Sequence, residues 1–431
     1  MEKKVLIIAY YFPPCNLPAA QRAWGWALYL KNFGWHPVIL TRRWDKPINA
    51  LADAYTSTPP EVQHEVNDTH EVIRVPYQAN LRDKLLMKYG ETRYASPRKA
   101  LTLLELLLQN FYPRILPYHR LFTQALQYAR AHRPHACVVT GNPFVTFKAA
   151  YDIHRALGVP WIADYRDAWT TSEINFIHRS GLYRALNYFE KYFEKKWVRT
   201  AGRVTASSLP IAQGIEKLTG TPATALYNGF IASDFDGIPN QKYDVFTVTY
   251  VGTLYYGQKI EIFCEAFKKL IDETPGIRAR LFLPGMMYFA EQHERIKRIM
   301  QGYEQYVECT PRMERKTILE IEKKSHLLLH VAWDEQRGII ASKIYEYLAS
   351  GTPVLVTPTD RGSIEEIIRQ SGCGDYTSGV EDTLALLRRE YHRFASGEVR
   401  YNDVNSPRVQ QFSRHEQVKK LAELLNSLPA L

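Results

Sequence analysis

Short apolar runs alternating with helix-length segments constrain the fold of this chain more than any other feature. Val5–Tyr10 is a continuous apolar run, the mark of a parallel strand covered on both faces. Pro13, Pro14 and Pro18 make the next stretch a loop, Ala19–Phe33 has helical spacing ended by Gly34, and Pro37–Thr41 is a second strand. The alternation continues through strands at His135–Thr140, Val159–Ala163, Arg203–Ala206 and Ala223–Leu226, with a helix at Phe144–Leu157. A second series starts at the strand Phe246–Val251. It runs through the helix Gln258–Ile271, strands Ala279–Leu283 and Tyr306–Cys309, the helix Glu314–Lys324 and the strand Leu327–Val331. It closes with the helix Ser342–Ser350, the strand Val354–Val356 and the helix Ser363–Gln370. Two such series on either side of Tyr227–Tyr243 predict an α/β chain of two doubly wound, Rossmann-like domains, 1–230 and 231–405. Residues 406–431 are expected to form a C-terminal helix, free to cross back to the first domain. Ligands of such domains sit at the carboxyl ends of the strands, so a cleft between the two is the expected site.

A length of 431 residues suits two large domains, and 45% hydrophobic with 23% charged residues excludes disorder, collagen and coiled coil for the bulk of the chain. The formal charge of +10 is uneven. Residues 1–230 hold 29 Lys+Arg against 17 Asp+Glu, a net of +12, and residues 231–431 hold 26 against 28, a net of −2. The first half is therefore expected to meet something anionic. Leu81–Arg130, expected as a helical insertion in the first domain, concentrates nine Lys/Arg against three acids among leucines and aromatics. That is the composition of a segment lying on an anionic membrane surface, or of an insertion packed on its own domain. Nucleic acid fits poorly, because the basic residues lie among leucines and form no recognised motif. Five scattered cysteines read as reduced thiols of a cytoplasmic protein, and no His/Cys cluster suggests a metal. The longest stretch free of Asp, Glu, Lys and Arg, Val5–Gln21, holds three prolines and is no transmembrane helix. Lys3-Lys4 before Val5–Phe12 imitates a signal peptide, but Pro13-Pro14 follows in place of a cleavage site, and a buried first strand is expected.

Two loops of the second half suit a diphosphate. Gly252 and Thr253 follow the first strand and Gln258 opens the next helix, so backbone amides, a hydroxyl and a helix N-terminus converge. The second loop runs from Arg337 to Val354. Ser342 is a plausible N-cap, which puts Lys343 in the first turn, where the helix dipole disfavours a cation unless an anion is bound. Glu346 lies one turn along on the same side, and a carboxylate there suits vicinal ribose hydroxyls; a plain surface Lys–Glu pair has the same spacing.

Ser342-Lys343-Ile344-Tyr345-Glu346-Tyr347-Leu348-Ala349-Ser350-Gly351-Thr352-Pro353-Val354 resembles the donor-binding signature of family 4 (GT-B) bacterial glycosyltransferases, group 1 type. Gly362-Ser363-Ile364-Glu365 resembles their following Gly-x-x-Glu, the Val251–Gln258 turn the start of their C-terminal domain, and Tyr227-Asn228-Gly229-Phe230 the end of their N-terminal one. Ile7 to Pro14 resembles their first strand and acceptor loop. Pro160-Trp161-Ile162-Ala163-Asp164-Tyr165-Arg166-Asp167-Ala168-Trp169 resembles an Asp-x-Arg-Asp-Pro-Trp segment of one subgroup.

The resemblance implies a retaining, metal-independent transfer from a nucleotide-sugar co-substrate, with no cofactor. The acceptor would be a lipid-linked or polysaccharide chain in cell-surface glycan assembly, at the cytoplasmic face of the membrane. By the same resemblance Glu346 binds ribose and Glu365 belongs to the donor site. Gly252, Thr253, Gln258, Arg337 and Lys343 hold the diphosphate, with Lys343 the cation for the leaving group. On the acceptor side stand Pro14, Asn16, Arg166 and Asp167, with Asp164 positioned to orient the acceptor hydroxyl or take its proton; an Asp–Arg pair that merely fixes the loop is the other reading. The chain departs from the family at Gly338, where a second Glu is usual eight residues before Glu346, and at Thr253 and Gln258, where Arg and Lys are usual. A nucleotide-sugar epimerase or hydrolase on the same fold, or a non-catalytic sugar-nucleotide binder, stays open at this point.

Overall fold

The computed structural model describes residues 2–172, 181–333 and 338–429. It divides into two compact units, Met1–Tyr227 with Gln417–Leu431, and Asn228–Glu416. The boundaries expected at 230 and 405 thus fall at 227 and 416.

The first unit is built on eight strands: β1 Lys3–Ala9, β2 Trp35–Arg42, β3 Gln63–Val66, β4 Glu71–Val75, β5 Ala136–Thr140, β6 Trp161–Tyr165, β7 Arg203–Ala206 and β8 Ala223–Ala225. Their order is β3-β4-β2-β1-β5-β6-β7-β8. Every pairing is parallel except β3 with β4. Strand order reverses between β1 and β5, which makes that the switch point of the sheet. The apolar run Val5–Ala9 is fully buried because helices cover both faces: Leu6 and Ile8 join one core, Val5 and Ile7 the other. Sequence reading missed β3 and β4, and also the helices Gly181–Val198 and Leu209–Thr219. All four residues of β3 are exposed, so nothing apolar marked it.

Leu81–Arg130 is helical, as Leu81–Tyr89, Ala95–Leu108 and the start of Arg120–His132, but it divides by burial. Leu116, Tyr118, Leu121, Phe122, Ala125, Tyr128 and Ala129 are core residues, so the last helix of the region belongs to the domain proper. Ala95–Leu108 buries no residue fully.

The second unit is a six-stranded parallel sheet: β9 Phe246–Thr249, β10 Ala279–Leu283, β11 Val307–Cys309, β12 Leu327–His330, β13 Val354–Val356 and β14 Gly374–Tyr376. The order is β11-β10-β9-β12-β13-β14, with its switch point between β9 and β12. The loops after these two strands are the ones singled out above as diphosphate-binding. Asn228-Gly229 begins this unit. Phe230 N–H donates to the Phe412 carbonyl at 3.2 Å and Arg414 N–H to the Phe230 carbonyl at 2.7 Å. Gly229, at φ +67°, is required there, since a Cβ would stand 2.8 Å from the Phe412 oxygen.

The expected terminal helix is two pieces, Pro407–Gln410 and Arg414–Asn426. Val418, Leu421, Ala422 and Leu425 of the second piece are buried with Val5, Ile7 and Trp26 under the first sheet. Leu421→Ala should cost about 2–5 kcal/mol of the first unit's stability, as for any fully buried leucine whose site cannot collapse. Urea unfolding followed by tryptophan fluorescence reads it, and a loss below ~0.5 kcal/mol would show the helix to be dispensable.

Candidate functional site

In the second unit, the helix Lys343–Ser350 grips the turn after β9 with two side chains one helical turn apart. Lys343 Nζ donates to the Val251 carbonyl at 3.0 Å, and Val251 N–H donates to the Tyr347 hydroxyl at 2.9 Å. The ammonium turns inward, 3.6 Å from the centre of the Tyr250 ring. Gly252 follows at φ +96°, a conformation that favours glycine, and a Cβ built there would lie 3.9 Å from Lys343 Nζ. The structure therefore brings Gly252 and Lys343 together. Thr253 lies in the same turn, its carbonyl accepting from the Tyr250 hydroxyl at 2.8 Å.

Burial lowers Lys343 to about 7, opposed by the carboxylate of Glu322. Glu322, on the helix Arg315–Lys324, is fully buried, and neither carboxyl oxygen has a hydrogen-bond partner. Burial holds its pKa well above the ordinary carboxylate value, with the charge of Glu346 adding to the rise. His330, read as a core histidine, is buried at the end of β12 with Nδ1 unpartnered, and burial and Lys343 hold it well below its usual pKa. A buried lysine, a buried acid and a buried imidazole, with few hydrogen-bond partners between them, thus lie about one turn. Sequence reading missed Glu322, although its place three residues after buried Leu319 puts it on the apolar stripe of its helix.

Ser342 does not cap the helix: it is itself helical, at φ −58° and ψ −27°, with no side-chain hydrogen bond to the first turn. Among the described residues the N-terminus at Lys343 has no side-chain cap. The next helix, Ser363–Ser371, contrasts with it. Buried Asp360 accepts from Gly362, Ile364 and Glu365 N–H at 3.0, 2.9 and 3.1 Å, so a carboxylate of the chain already fills that N-terminus. Glu365 itself accepts from Thr359 Oγ1 at 2.7 Å.

Glu346 is paired. Arg315 Nη1 bonds Glu346 Oε1 at 2.5 Å and Arg315 Nη2 bonds Asp234 Oδ2 at 2.7 Å. Arg315 gave no signal in the sequence, since its partners lie 31 and 81 residues away. Gln258 does not join the diphosphate turn as expected. It is buried, its Oε1 accepting from Tyr255 N–H at 2.9 Å and its Nε2 donating to the Val331 carbonyl at 2.5 Å, so both ends of its amide serve the fold. The helix after β9 begins at Glu261, later than read. Arg337 lies outside the described residues.

The first unit corrects the reading of Asp164. It is fully buried and takes Arg22 Nε at 2.8 Å, Arg22 Nη2 at 2.5 Å and Thr205 Oγ1 at 2.6 Å, while Arg22 Nη1 donates to the Leu226 carbonyl at 2.7 Å. Three donors fill most of the carboxylate's acceptor positions and none of it reaches the surface, so it serves the fold and not an acceptor. Arg166 bonds Asp167 Oδ2 at 3.0 Å and lies 5.9 Å from the Tyr11 ring. Asn16 is also occupied: its Nδ2 donates to the Ile48 carbonyl at 3.2 Å and its Oδ1 accepts from Ile48 N–H at 2.9 Å. Pro14 is half-buried on the loop between. Among the described residues no group of three or more His, Cys, Asp or Glu is placed to hold a metal ion, and all five cysteines are free.

Asp164→Ala should leave the Arg22 charge buried without its partner and cost about 3–5 kcal/mol, read by chemical denaturation. Turnover lost with stability unchanged would instead return Asp164 to acceptor chemistry.

Residues 245–389 match the family described as glycosyl transferases group 1. No curated protein matches the chain in sequence. Solved structures do match in fold. Sucrose-phosphate synthase from Thermosynechococcus elongatus aligns at TM-score 0.59 and 15% identity, over 98% of each chain. A glycosyltransferase from Rickettsia africae aligns at 0.61 and 11%, over 99% of this chain and 98% of that one. Anabaena HepE, solved in complex with UDP, aligns at 0.57 and 14%, over 99% and 100%. The switch-point loops around Lys343 thus lie inside the segment that matches group 1 glycosyl transferases, and the chain has the GT-B fold of these solved structures.

Proposed function

We propose that this enzyme transfers a sugar from a nucleotide-sugar to a lipid-linked or polysaccharide acceptor in cell-surface glycan assembly, with retention at the anomeric carbon and without a metal. The observation that carries the reading is the inward-turned Lys343, held against the Val251-Gly252 turn at the switch point of the second sheet. When the bond between the anomeric carbon and the diphosphate breaks, negative charge builds on the departing phosphate. A fixed ammonium, backbone N–H groups of a glycine turn and an uncapped helix N-terminus meet that charge without reorganising. Glu346, one turn along, would take the ribose hydroxyls once Arg315 gives way. HepE, solved with UDP, favours a uridine nucleotide as the donor carrier.

The acceptor side rests on the first unit. Leu104, Leu107, Phe111 and Tyr112 are exposed on its basic helical segment, a surface suited to the cytoplasmic face of an anionic membrane. Among the described residues no helix is long and apolar enough to cross a membrane.

Lys343 supplies a test with a definite sign. Its pKa of about 7 lies below the unfolded value of 10.5, so between the two the unfolded chain binds the extra proton and stability rises with pH. An arriving diphosphate favours the charged form and raises that pKa. UDP binding about one unit above pH 7 should therefore take up as much as one proton, seen as a dependence of calorimetric enthalpy on the ionisation enthalpy of the buffer. Lys343→Met should abolish the uptake, and Glu346→Ala should weaken UDP binding about 10- to 100-fold, the worth of hydrogen bonds to a charged group. Unchanged affinity in both variants would overturn the donor-site assignment. Transfer from UDP-sugars to lipid-linked acceptors, resistant to chelators, with the product anomer assigned by NMR, tests the reaction itself.

A further inference from the structure

A cavity of about 340 Å³ opens in the first unit where the end of the basic segment meets the helix Gly181–Val198. Phe111, Phe189, Tyr192 and Phe193 wall it, with Trp197 deeper. Phe111 packs against Phe193 at 5.2 Å and Phe189 at 6.0 Å, so the wall is one continuous aromatic cluster.

An amide and two lysines share this lining with the tyrosines. Asn110 is 3% exposed, and neither its Oδ1 nor its Nδ2 has a hydrogen-bond partner. A buried amide with both ends unmade is costly, and it points to a missing polar group in the cavity. Lys148 lines the same space and pairs with Asp152 at 2.7 Å. Lys196 lies 5.9 Å from the Tyr192 ring and forms no ion pair among the described residues.

The surroundings repeat the pattern. The helix carries Arg184, Lys191, Lys195 and Lys196, while both its acids turn inward. Glu190 accepts from Trp169 Nε1 at 3.1 Å, and Glu194 is buried against Thr170, with burial raising the pKa of both. What the helix shows outward is therefore cationic and aromatic, with Tyr188 80% and Tyr192 59% exposed.

We propose that this cavity is a binding site for an anionic phospholipid. The phosphate would lie between Lys148 and Lys196, a headgroup or ester oxygen would meet the Asn110 amide, and the first part of one acyl chain would run among the aromatic rings. Aromatic walls exclude a purely polar anion as the best ligand, and the unpaired lysine with the buried amide excludes a purely apolar one. The cavity is small for a whole lipid, since drug-sized ligands already take roughly 300–1,000 Å³. The remaining chain must stay in a bilayer, so the site binds the protein to a surface and does not extract lipid from it. The inference rests on the membrane reading of the proposed function, and it assigns that reading a specific pocket.

The test uses the full chain with vesicles of phosphatidylcholine, alone or mixed with phosphatidylglycerol. Sedimentation should occur with the mixed vesicles and weaken roughly tenfold or more in Lys196→Glu, because each basic residue near an anionic surface counts for about a tenfold-scale effect or less and reversal counts twice. Phosphatidylglycerol brominated on its acyl chains should quench the tryptophan fluorescence of the parent protein and quench Trp197→Phe less. Asn110→Leu should lower affinity for the mixed vesicles while leaving UDP binding and the urea unfolding of the first unit unchanged, the latter showing that the variant is folded. Binding without any difference between parent and variants, or equal quenching in Trp197→Phe, overturns the pocket and leaves the membrane reading standing. Failure of the parent to bind either vesicle overturns both. Glycerol phosphate competing as well as the vesicles would show a free-phosphate site and overturn the lipid assignment.

Discussion

In each unit the order of the parallel strands reverses once, between β1 and β5 and between β9 and β12. Loops leaving the two neighbouring strands there turn to opposite faces, so no backbone covers the strand ends, and side chains must fill the opening. The rest of the structure depends on how they do so, and the two units do it in opposite ways. In the first, Arg22 reaches from the helix after β1 across to β6 and ends on Asp164 and the Leu226 carbonyl, while Thr205 donates to the same carboxylate. In the second, Lys343 ends on a single carbonyl and the face of a ring. Glu322 lies buried nearby with no hydrogen bond at all.

That difference separates a structural charge pair from a functional one. A buried pair whose partners are all in place is close to neutral for stability and strongly resists loss of either member, so it fixes geometry. A buried cation with one hydrogen bond, beside an acid with none, is costly in the empty protein and becomes favourable when an anion arrives. Local conflicts of this kind are tolerated where a ligand resolves them, and are removed elsewhere. Capping follows the same logic. Asp360 fills the N-terminus of Ser363–Ser371 with the chain's own carboxylate, while Ser342 leaves that of Lys343–Ser350 open. Of these two neighbouring helices, the one beside Lys343 has no carboxylate capping its first N–H groups among the described residues.

The fold was legible because parallel strands buried on both faces leave an unmistakable trace, as Val5–Ala9 and Leu327–His330 do. Strands without that burial left none, and Gln63–Val66, exposed throughout, was passed over. At the site, residues close in sequence were legible: Lys343 and Glu346 were placed on one face by helical spacing alone. What could not be read was whether a polar group is already engaged. Asp164 at a strand end looks the same whether it faces a substrate or Arg22, and Arg22 is 142 residues away. Gln258 was misjudged for the same reason, since its partner Val331 sits on another loop. Glu322 was discoverable from its place on an apolar stripe. Arg315, bridging Glu346 and Asp234, was not.

The uneven charge of the chain takes on a different meaning once burial is known. The excess of the first half is not a property of Leu81–Arg130 alone. That segment gives part of its apolar residues to the core, and Asp83 and Glu105 within it are engaged by Arg82. The helix Gly181–Val198 adds to the same sign by turning Glu190 and Glu194 inward, where burial holds their pKa values up, while its lysines stay outside. Counting charges along the sequence treats these acids as cancelling the lysines; the fold removes them from the surface. What this face presents is therefore mainly its lysines and rings, and it is carried by two helical segments that meet at Phe111. A surface made in this way couples its charge to its aromatic groups: the helix that presents the lysines also supplies the rings. An anion without an apolar body, or an apolar chain without an anion, uses only half of what is offered.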